Sequence, residues 1–307
     1  MKVLITGSEG FIGSYLCAEF ESNGYEVIRC DIVQKNSCVL MDIMNRENVK
    51  DVLIQYRPDV LINLAGQPNV SLSWIQPQAT VQLNTIGVIN VLESVKEVNP
   101  DIRVITIGSS DEYGILINKA NNITEDVSVN PITPYAISKY TQELFAKMYF
   151  RTYGMNICMA RLFNLSGGGQ AKGFLIPDLA SGIAEIENGK RNYLSVGYLE
   201  SARDFLHVKD ACRALRLIAE KGHSGEIYNI CSGVAHKAQE ILDMMISMST
   251  AKIEVVQDQT KMRPSDIPII CGNHDKLTEH TDWAPSMDFN SILLDALMYW
   301  RKQTRNQ

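Results

Sequence analysis

The stretch MKVLITGSEGFIG, residues 1–13, decides the fold. Lys2 to Thr6 form an apolar run with a β-branched bias that stops at Gly7, and apolar residues at helical spacing begin at Phe11. This pattern predicts a strand, a tight glycine turn and a helix. Such a turn lets a pyrophosphate approach bare backbone amides at the amino end of a helix, where the helix dipole favours negative charge. We therefore expect a dinucleotide to bind against Gly7, Gly10, Phe11, Ile12 and Gly13.

The glycine spacing in this stretch is GxxGxxG, one residue longer at its first interval than the dinucleotide fingerprint GxGxxG. A plain structural turn is the alternative interpretation. A second predicted strand, residues 25–30, ends at Asp31, an acidic residue about 20 positions beyond the turn. Its carboxylate can accept hydrogen bonds from the adenosine ribose but would repel a 2′-phosphate. Asp31 therefore favours NAD(H), with NADP(H) as the alternative, unless it is only a turn residue at a strand end.

The rest of the chain continues the alternation of strands and helices. Further strands are predicted at 37–41, 59–65, 103–107 and 156–162, and helices at 45–56, 79–98 and 134–153. Helices of this length connect parallel strands by right-handed crossovers, so we predict an α/β fold with a doubly wound parallel (Rossmann) sheet. Residues 1–163 and about 205–232 would form the dinucleotide-binding domain, and residues 164–204 and 233–307 a smaller substrate-binding lobe.

Composition narrows the classes of partner and compartment. The 307 residues carry a formal net charge of -6 and no Lys/Arg run, so nothing favours binding of nucleic acid or acidic membranes. The seven cysteines are scattered without CxxC pairs, and the histidines lack metal-ligand spacing; we expect reduced core thiols and no metal. No apolar run approaches a membrane span and no signal peptide is evident. We expect a cytoplasmic protein.

Polar side chains follow the predicted strand 103–107. Ser109, Ser110 and Asp111 come directly after Ile107 and Gly108. They should therefore emerge at the carboxyl edge of the sheet, where open α/β folds bind ligands. The loop after the strand 59–65 should reach the same edge, with the backbone of Leu64, Ala65 and Gly66 passing the cofactor.

Tyr135 and Lys139 are spaced by four residues on the predicted helix 134–153 and so share one face. A Lys ammonium near a phenol favours the phenolate, so we expect Lys139 to lower the pKa of Tyr135 toward the range of a general acid or base. Ser109 would hold a substrate carbonyl or hydroxyl beside the phenol. Taken alone, Tyr-x-x-x-Lys is also common as a surface pair, and the glycine turn and Asp31 are what favour the catalytic interpretation.

Several stretches together resemble the extended short-chain dehydrogenase/reductase family (NAD-dependent epimerases and dehydratases) that acts on nucleotide sugars. They are TGSEGFIG (6–13), LAGQPNV (64–70), SSDEYG (109–114), PYAISK (134–139), RLFNLSGGGQ (161–170) and RDFLHVKD (203–210). The resemblance implies that Ser109, Tyr135 and Lys139 are the catalytic Ser/Thr, Tyr and Lys, that the glycines form the cofactor loop, and that Asp31 contacts the ribose. It further implies that Asp42 and Ile43 contact the adenine.

Within the family, the stretches IGSSDEYG, GGGQ-x-x-GF and RPSDIP (263–268) are most similar to the branch that reduces GDP-4-dehydro-6-deoxy-D-mannose. The resemblance implies NAD(P)H-dependent reduction of the C4 ketone of a GDP-6-deoxy-hexulose. GDP-mannose 4,6-dehydratases are close relatives; they usually carry a catalytic Glu where this chain has Asp111, whose carboxylate falls back by about 1.5 Å. A dehydratase or epimerase that retains NAD is thus an alternative, and a non-catalytic NAD(P)-binding sensor is another of a different class.

A nucleotide-diphosphate sugar needs cations for its diphosphate, and Arg suits phosphate best because its planar fork binds two oxygens. The candidates are Lys172, Arg203 and Arg263, the last two by resemblance to the family's phosphate-binding arginines. An ion pair with a neighbouring Asp is the alternative for Arg203. By the same resemblance Asn164 contacts the diphosphate or sugar, and Ser110 is assigned to the substrate.

The predicted helices 79–98 and 134–153 carry more apolar residues than one face of a sheet requires. Paired across a twofold axis they would form a four-helix interface, as in relatives. We therefore expect a homodimer.

Overall fold

A computed structural model describes residues 1–35, 38–115, 122–259 and 268–305. The first part of the chain contains β1 (Lys2–Thr6), α1 (Phe11–Ser22), β2 (Glu26–Asp31), β3 (Val39–Leu40), α2 (Arg46–Tyr56), β4 (Val60–Asn63), α3 (Val70–Ile75), α4 (Pro77–Val81), a π-helical turn (Gln82–Ile86), α5 (Gly87–Val98), β5 (Arg103–Ser109), a 3₁₀ turn (Ser110–Tyr113) and α6 (Pro134–Tyr153). The second part contains β6 (Ile157–Leu162), β7 (Asn164–Ser166), α7 (Leu175–Glu187), β8 (Tyr193–Val196), β9 (Ala202–His207), α8 (Val208–Lys221), β10 (Ile227–Ile230), β11 (Ala235–Lys237), α9 (Ala238–Ser247), β12 (Glu254–Gln257), β13 (Ile269–Ile270), α10 (Asp275–Thr281) and α11 (Phe289–Arg305).

The main sheet has seven strands in the order β10-β6-β5-β4-β1-β2-β3, and every neighbouring pair is parallel. The interior strand β1 is buried on both faces, since Val3, Leu4 and Ile5 are fully covered. Parallel sheets need this cover from helices on both sides, and α1 with α8 forms one layer while α2, α5 and α6 form the other. The predicted doubly wound α/β fold is confirmed.

The smaller lobe is built from β7, β8, β9, β11, β12 and β13 with α7, α9 and α11. Strand β9 pairs with β11, β13 and β7, while β8 and β12 form a separate two-stranded sheet. The lobe has its own apolar core, in which Ile183 of α7, Ile241 of α9 and Leu297 of α11 are fully buried. It stands over the carboxyl ends of the main-sheet strands, because its residues line the same cleft as the turn after β1 and the end of β5.

Between the lobe elements β13 and α11 the chain returns to the main sheet at α10, which packs against α8 and β10. Leu277 and Trp283 are fully buried in the same core as α1 and α8, and the Trp283 indole Nε1 donates to the carbonyl of Asp210 at 3.1 Å. The sequence assigns all of 233–307 to the lobe, so this segment differs from the prediction. A short helix with few apolar positions carries no signal for which core it joins.

The predicted single helix 79–98 is instead divided into α4, the π-helical turn and α5. Pro77 begins α4, where its missing N–H costs nothing. The π-helical turn directs the Asn84 side chain inward: its amide donates to the Gln67 carbonyl at 3.1 Å and to the Ser138 hydroxyl at 3.0 Å. The predicted helix 134–153 coincides with α6.

Candidate active site

The turn between β1 and α1 is a backbone cradle from which side chains are excluded. Gly7 has φ +67°, and a Cβ there would lie 3.0 Å from the Ala65 nitrogen; a Cβ on Gly13 would lie 2.1 Å from the Gly7 carbonyl. Gly10 is the N-cap of α1 and offers no side chain to the N–H groups of the first turn. These N–H groups and the helix dipole together suit a pyrophosphate, so the residues present fit a dinucleotide.

Two carboxylates adjoin this cradle, at the ends of β2 and β3. Asp31 is held by two backbone N–H groups, Glu9 at 3.0 Å and Val33 at 3.1 Å. Asp42 accepts the Met44 N–H at 2.9 Å, and the neighbouring Ile43 is buried. All three sequence-assigned residues, Asp31, Asp42 and Ile43, line the cleft beside Gly7, Gly10, Phe11, Ile12 and Gly13.

The cleft between the main sheet and the lobe has a volume of about 1410 Å³. Pockets for a single small ligand typically measure about 300–1,000 Å³, so this cleft has room for a dinucleotide and a second ligand together. Leu64, Ala65 and Gly66 form part of its wall. At Gly66 a Cβ would meet the Asn84 side-chain oxygen at 2.9 Å, so the chain passes there without a side chain.

Ser109, Tyr135 and Lys139 converge on this cleft from β5 and α6. Thr133 caps α6 by accepting the Ala136 N–H at 3.0 Å, and Pro134 follows at the first helical position, so the helix begins with Tyr135 facing the end of β5. The Ser109 hydroxyl accepts the Asp111 N–H at 3.2 Å and also hydrogen-bonds to Tyr135.

The pKa of Tyr135 is raised above its usual value, chiefly because the phenol is buried and secondly because the Asp111 carboxylate is near. The hydrogen bond with Ser109 lowers this pKa, but not enough to offset burial. The predicted lowering by Lys139 is therefore wrong for the protein without ligands. Helical spacing shows that two side chains share a face, whereas desolvation depends on what covers them.

Lys139 is almost fully buried, and its Nζ donates to the Ile107 carbonyl at 2.8 Å. Burial lowers the pKa of Lys139 to about 8, while the charge of Glu112 raises it. The ammonium is thus the predominant form at neutral pH. It presents its remaining donors to the cleft that it lines together with Tyr135.

Most of the residues assigned to the substrate also reach the cleft. Ser110, Asn164 and Arg203 line it, as does Asp111, the catalytic candidate at the position of the dehydratases' Glu. Lys172 does not: its Nζ pairs with Glu185 at 2.6 Å and lies 5.3 Å from the centre of the Trp300 ring. Arg263, and the RPSDIP stretch up to residue 267, lie outside the described residues.

Sequence reasoning missed much of the lobe side of the cleft. Residues 195–199, including Tyr198, and residues 174–179 of the α7 region line it, and their apolar character gave no signal separable from core packing. Sequence reasoning also missed Glu112. A signal was available, since Glu112 stands beside the buried Tyr113 and Arg161 lies inside an apolar strand. Buried charges need partners, so such a pair of positions indicates an interaction.

Three further expectations, on metal ions, membrane spans and cysteines, concern the described residues. Within the described ranges, no three His, Cys, Asp or Glu side chains come close enough together to hold a metal ion. None of the helices described here combines the length and the apolar character needed to cross a lipid bilayer. All seven cysteines are buried free thiols.

A doubly wound sheet, a glycine cradle at its first turn and a Ser-Tyr-Lys group at its carboxyl edge define a nicotinamide-dinucleotide enzyme of the extended short-chain dehydrogenase/reductase class. The family model described as GDP-mannose 4,6 dehydratase matches residues 4–296. The chain belongs to this family of enzymes.

Individual relatives are consistent with this assignment. A GDP-6-deoxy-D-mannose reductase of Pseudomonas aeruginosa is 33% identical over 202 residues, which is 66% of each chain. A GDP-6-deoxy-D-talose 4-dehydrogenase of Aggregatibacter actinomycetemcomitans is 30% identical over 279 residues, 90% of each chain. The solved structure of RMD from Pseudomonas aeruginosa complexed with NADPH superimposes with a TM-score of 0.90 at 30% identity, covering 98% of this chain and 99% of the other.

Proposed function

We propose that this chain reduces the C4 ketone of a GDP-6-deoxy-hexulose with NADH. The observation that carries the proposal is the convergence of Ser109, Tyr135 and Lys139 on one cleft that is large enough for both ligands. The relatives named as GDP-6-deoxy-D-mannose reductase and GDP-6-deoxy-D-talose 4-dehydrogenase support a GDP-linked deoxysugar as the second ligand.

The roles follow from the contacts of each side chain. When bound, a reduced nicotinamide dinucleotide supplies the hydride that adds to C4. Tyr135 gives its phenolic proton to the C4 oxygen, and its raised pKa keeps that proton in place until the oxygen gains charge. Ser109 orients the carbonyl beside the phenol. Lys139, anchored at the Ile107 carbonyl, has further N–H donors for the nicotinamide ribose and the phenol oxygen.

The preference for NADH over NADPH is argued from charge. The cleft wall beyond the glycine cradle carries two carboxylates, Asp31 and Asp42. The cations among the described cleft residues are Lys139 on α6 and Arg203 on β9, outside that wall. A 2′-phosphate would therefore meet negative charge without a compensating cation. The similar Pseudomonas structure is complexed with NADPH. The proposed preference of this chain for NADH therefore needs a binding measurement with both cofactors.

The substrate is proposed to lie between the lobe and the edge of the main sheet. Arg203 supports binding of its diphosphate, since the guanidinium lines the cleft from β9. Asn164, whose amide donates to the Asp204 carbonyl at 3.2 Å, and Ser110 are proposed as sugar or phosphate contacts. Arg263 stays a sequence-based candidate. In this arrangement the main-sheet domain binds the dinucleotide and the lobe binds the nucleotide sugar.

A homodimer through α6 is part of the proposal. The outer face of this helix exposes Ile137, Leu144 and Met148, whose relative exposures are 48%, 46% and 37%. Val81 and Ile86 beside it are also exposed, on α4 and the π-helical turn that pack against α6. A contiguous apolar face of this kind is typical of an interface, and a twofold axis would pair it with itself.

A 4,6-dehydratase that retains NAD is the second candidate, because the family model carries that name and Asp111 lies in the cleft close enough to raise the pKa of Tyr135. Asp111 could move the proton that loss of water requires. The presence of both Tyr135 and Lys139 in the cleft argues against a non-catalytic sensor.

Two separate incubations distinguish these functions. The purified protein is given NADH with GDP-4-dehydro-6-deoxy-D-mannose, and NAD with GDP-mannose, while cofactor absorbance and sugar products are followed. We expect NADH to be consumed only with the keto sugar. Conversion of GDP-mannose without net change in the cofactor would replace the reductase proposal by the dehydratase.

A further inference from the structure

Behind the Ser109–Tyr135 pair lies a buried group of ionisable side chains that the proposed roles do not use. Glu112 of the 3₁₀ turn, Glu143 of α6 and Arg161 of β6 have relative exposures of 0%, 2% and 2%. Removing charges from water is costly unless each finds a partner. The pairing within this group therefore decides which of its members are charged.

Arg161 is committed to Glu143. Its Nε donates to Glu143 Oε2 and its Nη2 to Glu143 Oε1, both at 2.8 Å, which is the bidentate geometry of a strong pair. Lys147 adds a third donor to Glu143 at 2.8 Å. Although burial raises the pKa of Glu143, the hydrogen bonds from Arg161 leave it lowered overall. Glu143 is the ionised carboxylate of the group.

Glu112 has a different set of contacts. Its Oε1 accepts the Ser109 N–H at 2.8 Å, and a Cβ on Gly108 would lie only 2.5 Å from that oxygen, so the glycine makes room for the side chain to fold back. Its Oε2 is buried without a hydrogen-bond donor from the described residues. The Arg161 Nε is 3.5 Å from this oxygen but already donates to Glu143.

A proton on Glu112 resolves this arrangement. An ionised Glu112 would place a second buried carboxylate on a single guanidinium, whereas a carboxylic acid can donate its own O–H to Glu143. Burial and the Glu143 charge raise the pKa of Glu112 to about 8, against the opposing effect of Arg161. The titratable and charged groups that face Glu112 are Tyr135, Lys139 and Glu143 of α6 and Arg161 of β6.

We propose that Glu112 is a positioning residue held as the neutral carboxylic acid, donating to Glu143 and accepting from the Ser109 backbone so that the Ser109 hydroxyl stays directed at Tyr135. The neutral form also withholds a negative charge that would raise the pKa of Tyr135 further and weaken it as a proton donor. The protonation state is independent of the reaction, and only the positioning role rests on the proposed function.

The protonation state is tested by unfolding wild type and Glu112→Gln in denaturant from about pH 5 to about pH 9. A proton held in the folded state and released on unfolding makes wild type lose stability as pH rises. We expect the unfolding constant of wild type relative to Glu112→Gln to rise about tenfold per pH unit up to about pH 8, then level off. The unfolding constant of wild type relative to Glu47→Gln, a substitution at an exposed site, should stay constant over the same range. A constant ratio for Glu112→Gln across the range overturns the proposal.

The positioning role is tested by steady-state kinetics of Glu112→Gln and Glu112→Leu. The Gln side chain keeps an acceptor for Ser109 and a donor for Glu143, so kcat should stay within about threefold of wild type. The Leu side chain removes both hydrogen bonds. It should lower kcat at least tenfold, which corresponds to about 1.4 kcal/mol of activation free energy, while KM stays within about twofold of wild type. A folded Glu112→Gln that loses tenfold or more in kcat contradicts the role, as does full kcat in Glu112→Leu. Should Glu112→Leu not fold, Glu112→Gln decides, and should the chain not reduce the keto sugar, the unfolding comparison stands alone.

Discussion

At the scale of the residue, the chemistry depends on buried polar atoms whose partners are backbone groups. Lys139 is held by the Ile107 carbonyl, Asp31 by two N–H groups, and Ser109 by the Asp111 N–H. Backbone partners leave little freedom of movement, so the side chains are already oriented before ligands bind. Their ionisation is then set by burial and by neighbouring charge, which are measurable through pH.

The first consequence concerns the lowered pKa of Lys139. Because the ammonium is the charged form and its pKa is lowered to about 8, the charge is present below that pH and lost above it. We expect kcat/KM to fall above about pH 8 as the ammonium disappears. The fall should persist in Glu112→Gln because it belongs to Lys139. A profile that stays flat to about pH 9.5 would contradict this assignment.

The second consequence concerns Asp31 and the choice of cofactor. The wild-type Kd for NADPH should exceed that for NADH at least tenfold, which corresponds to about 1.4 kcal/mol. Asp31→Asn removes the charge, and we expect it to narrow this ratio severalfold. Fluorescence titrations with NADH and with NADPH measure the two Kd values and therefore their ratio. Asp101→Asn, exposed at the amino-terminal side of β5, is the matched control and should leave the ratio unchanged. Tighter binding of NADPH by wild type would reverse the proposed preference.

Sequence patterns predicted which residues line the cleft better than they predicted the protonation and burial of those residues. Spacing along β5 and α6 was enough to bring Ser109, Tyr135 and Lys139 to one edge. The raised pKa of Tyr135 and the buried Glu112 were not predictable in this way, since both depend on side chains that cover them from distant parts of the chain. Lys172 differs for a similar reason, because its partner Glu185 lies near the carboxyl end of α7.

At the scale of the element, long helices with clear punctuation were the most predictable. α6 begins after a Thr cap with Pro134 and ends at Gly154 in a left-handed conformation, and both signals are local. The region 79–98 was not predictable because its break depends on Asn84, whose side chain hydrogen-bonds to Gln67 and Ser138. Short elements such as β3 and α10 carry too few residues for a periodic pattern.

The exposed face of α6 gives a prediction at this scale. Leu144→Glu places a charge in the proposed twofold interface, so we expect the dimer to dissociate to a monomer in light scattering coupled to size exclusion. Leu294→Glu on α11 is the control, since Leu294 is equally exposed, at 49% against 46% for Leu144. A wild-type monomer, or a Leu144→Glu protein of unchanged mass, would exclude this interface.

At the scale of the whole molecule, the site exists only where two cores meet. The main sheet contributes the glycine cradle and the proposed catalytic side chains, and the lobe contributes Arg203 and the largely apolar wall at 195–199. The segment α10, between the lobe elements β13 and α11, ties the chain back to the main sheet. In the proposed arrangement each ligand contacts a different core, so we expect that binding of the two ligands can be changed separately.

Arg203 and Lys172 provide a matched test of that separation. Arg203→Met should raise KM for the keto sugar about tenfold or more, because the diphosphate loses a charge-assisted partner, while the Kd for NADH stays within about twofold. Lys172→Met removes an equal charge from outside the cleft and should leave both constants nearly unchanged. Equal effects of the two substitutions would show that general charge, and not a phosphate contact, is responsible.

The most direct measurement of the proposed reaction compares Tyr135→Phe with Tyr140→Phe. Both tyrosines lie on α6, but only Tyr135 is among the residues that line the cleft. With NADH and the keto sugar, we expect Tyr135→Phe to lose about 10²–10⁴-fold in kcat while still binding NADH, because the proton donor is gone. Tyr140→Phe should retain wild-type turnover. If Tyr135→Phe consumes NADH within about tenfold of the wild-type rate, the phenol does not protonate the substrate and the proposed mechanism is wrong.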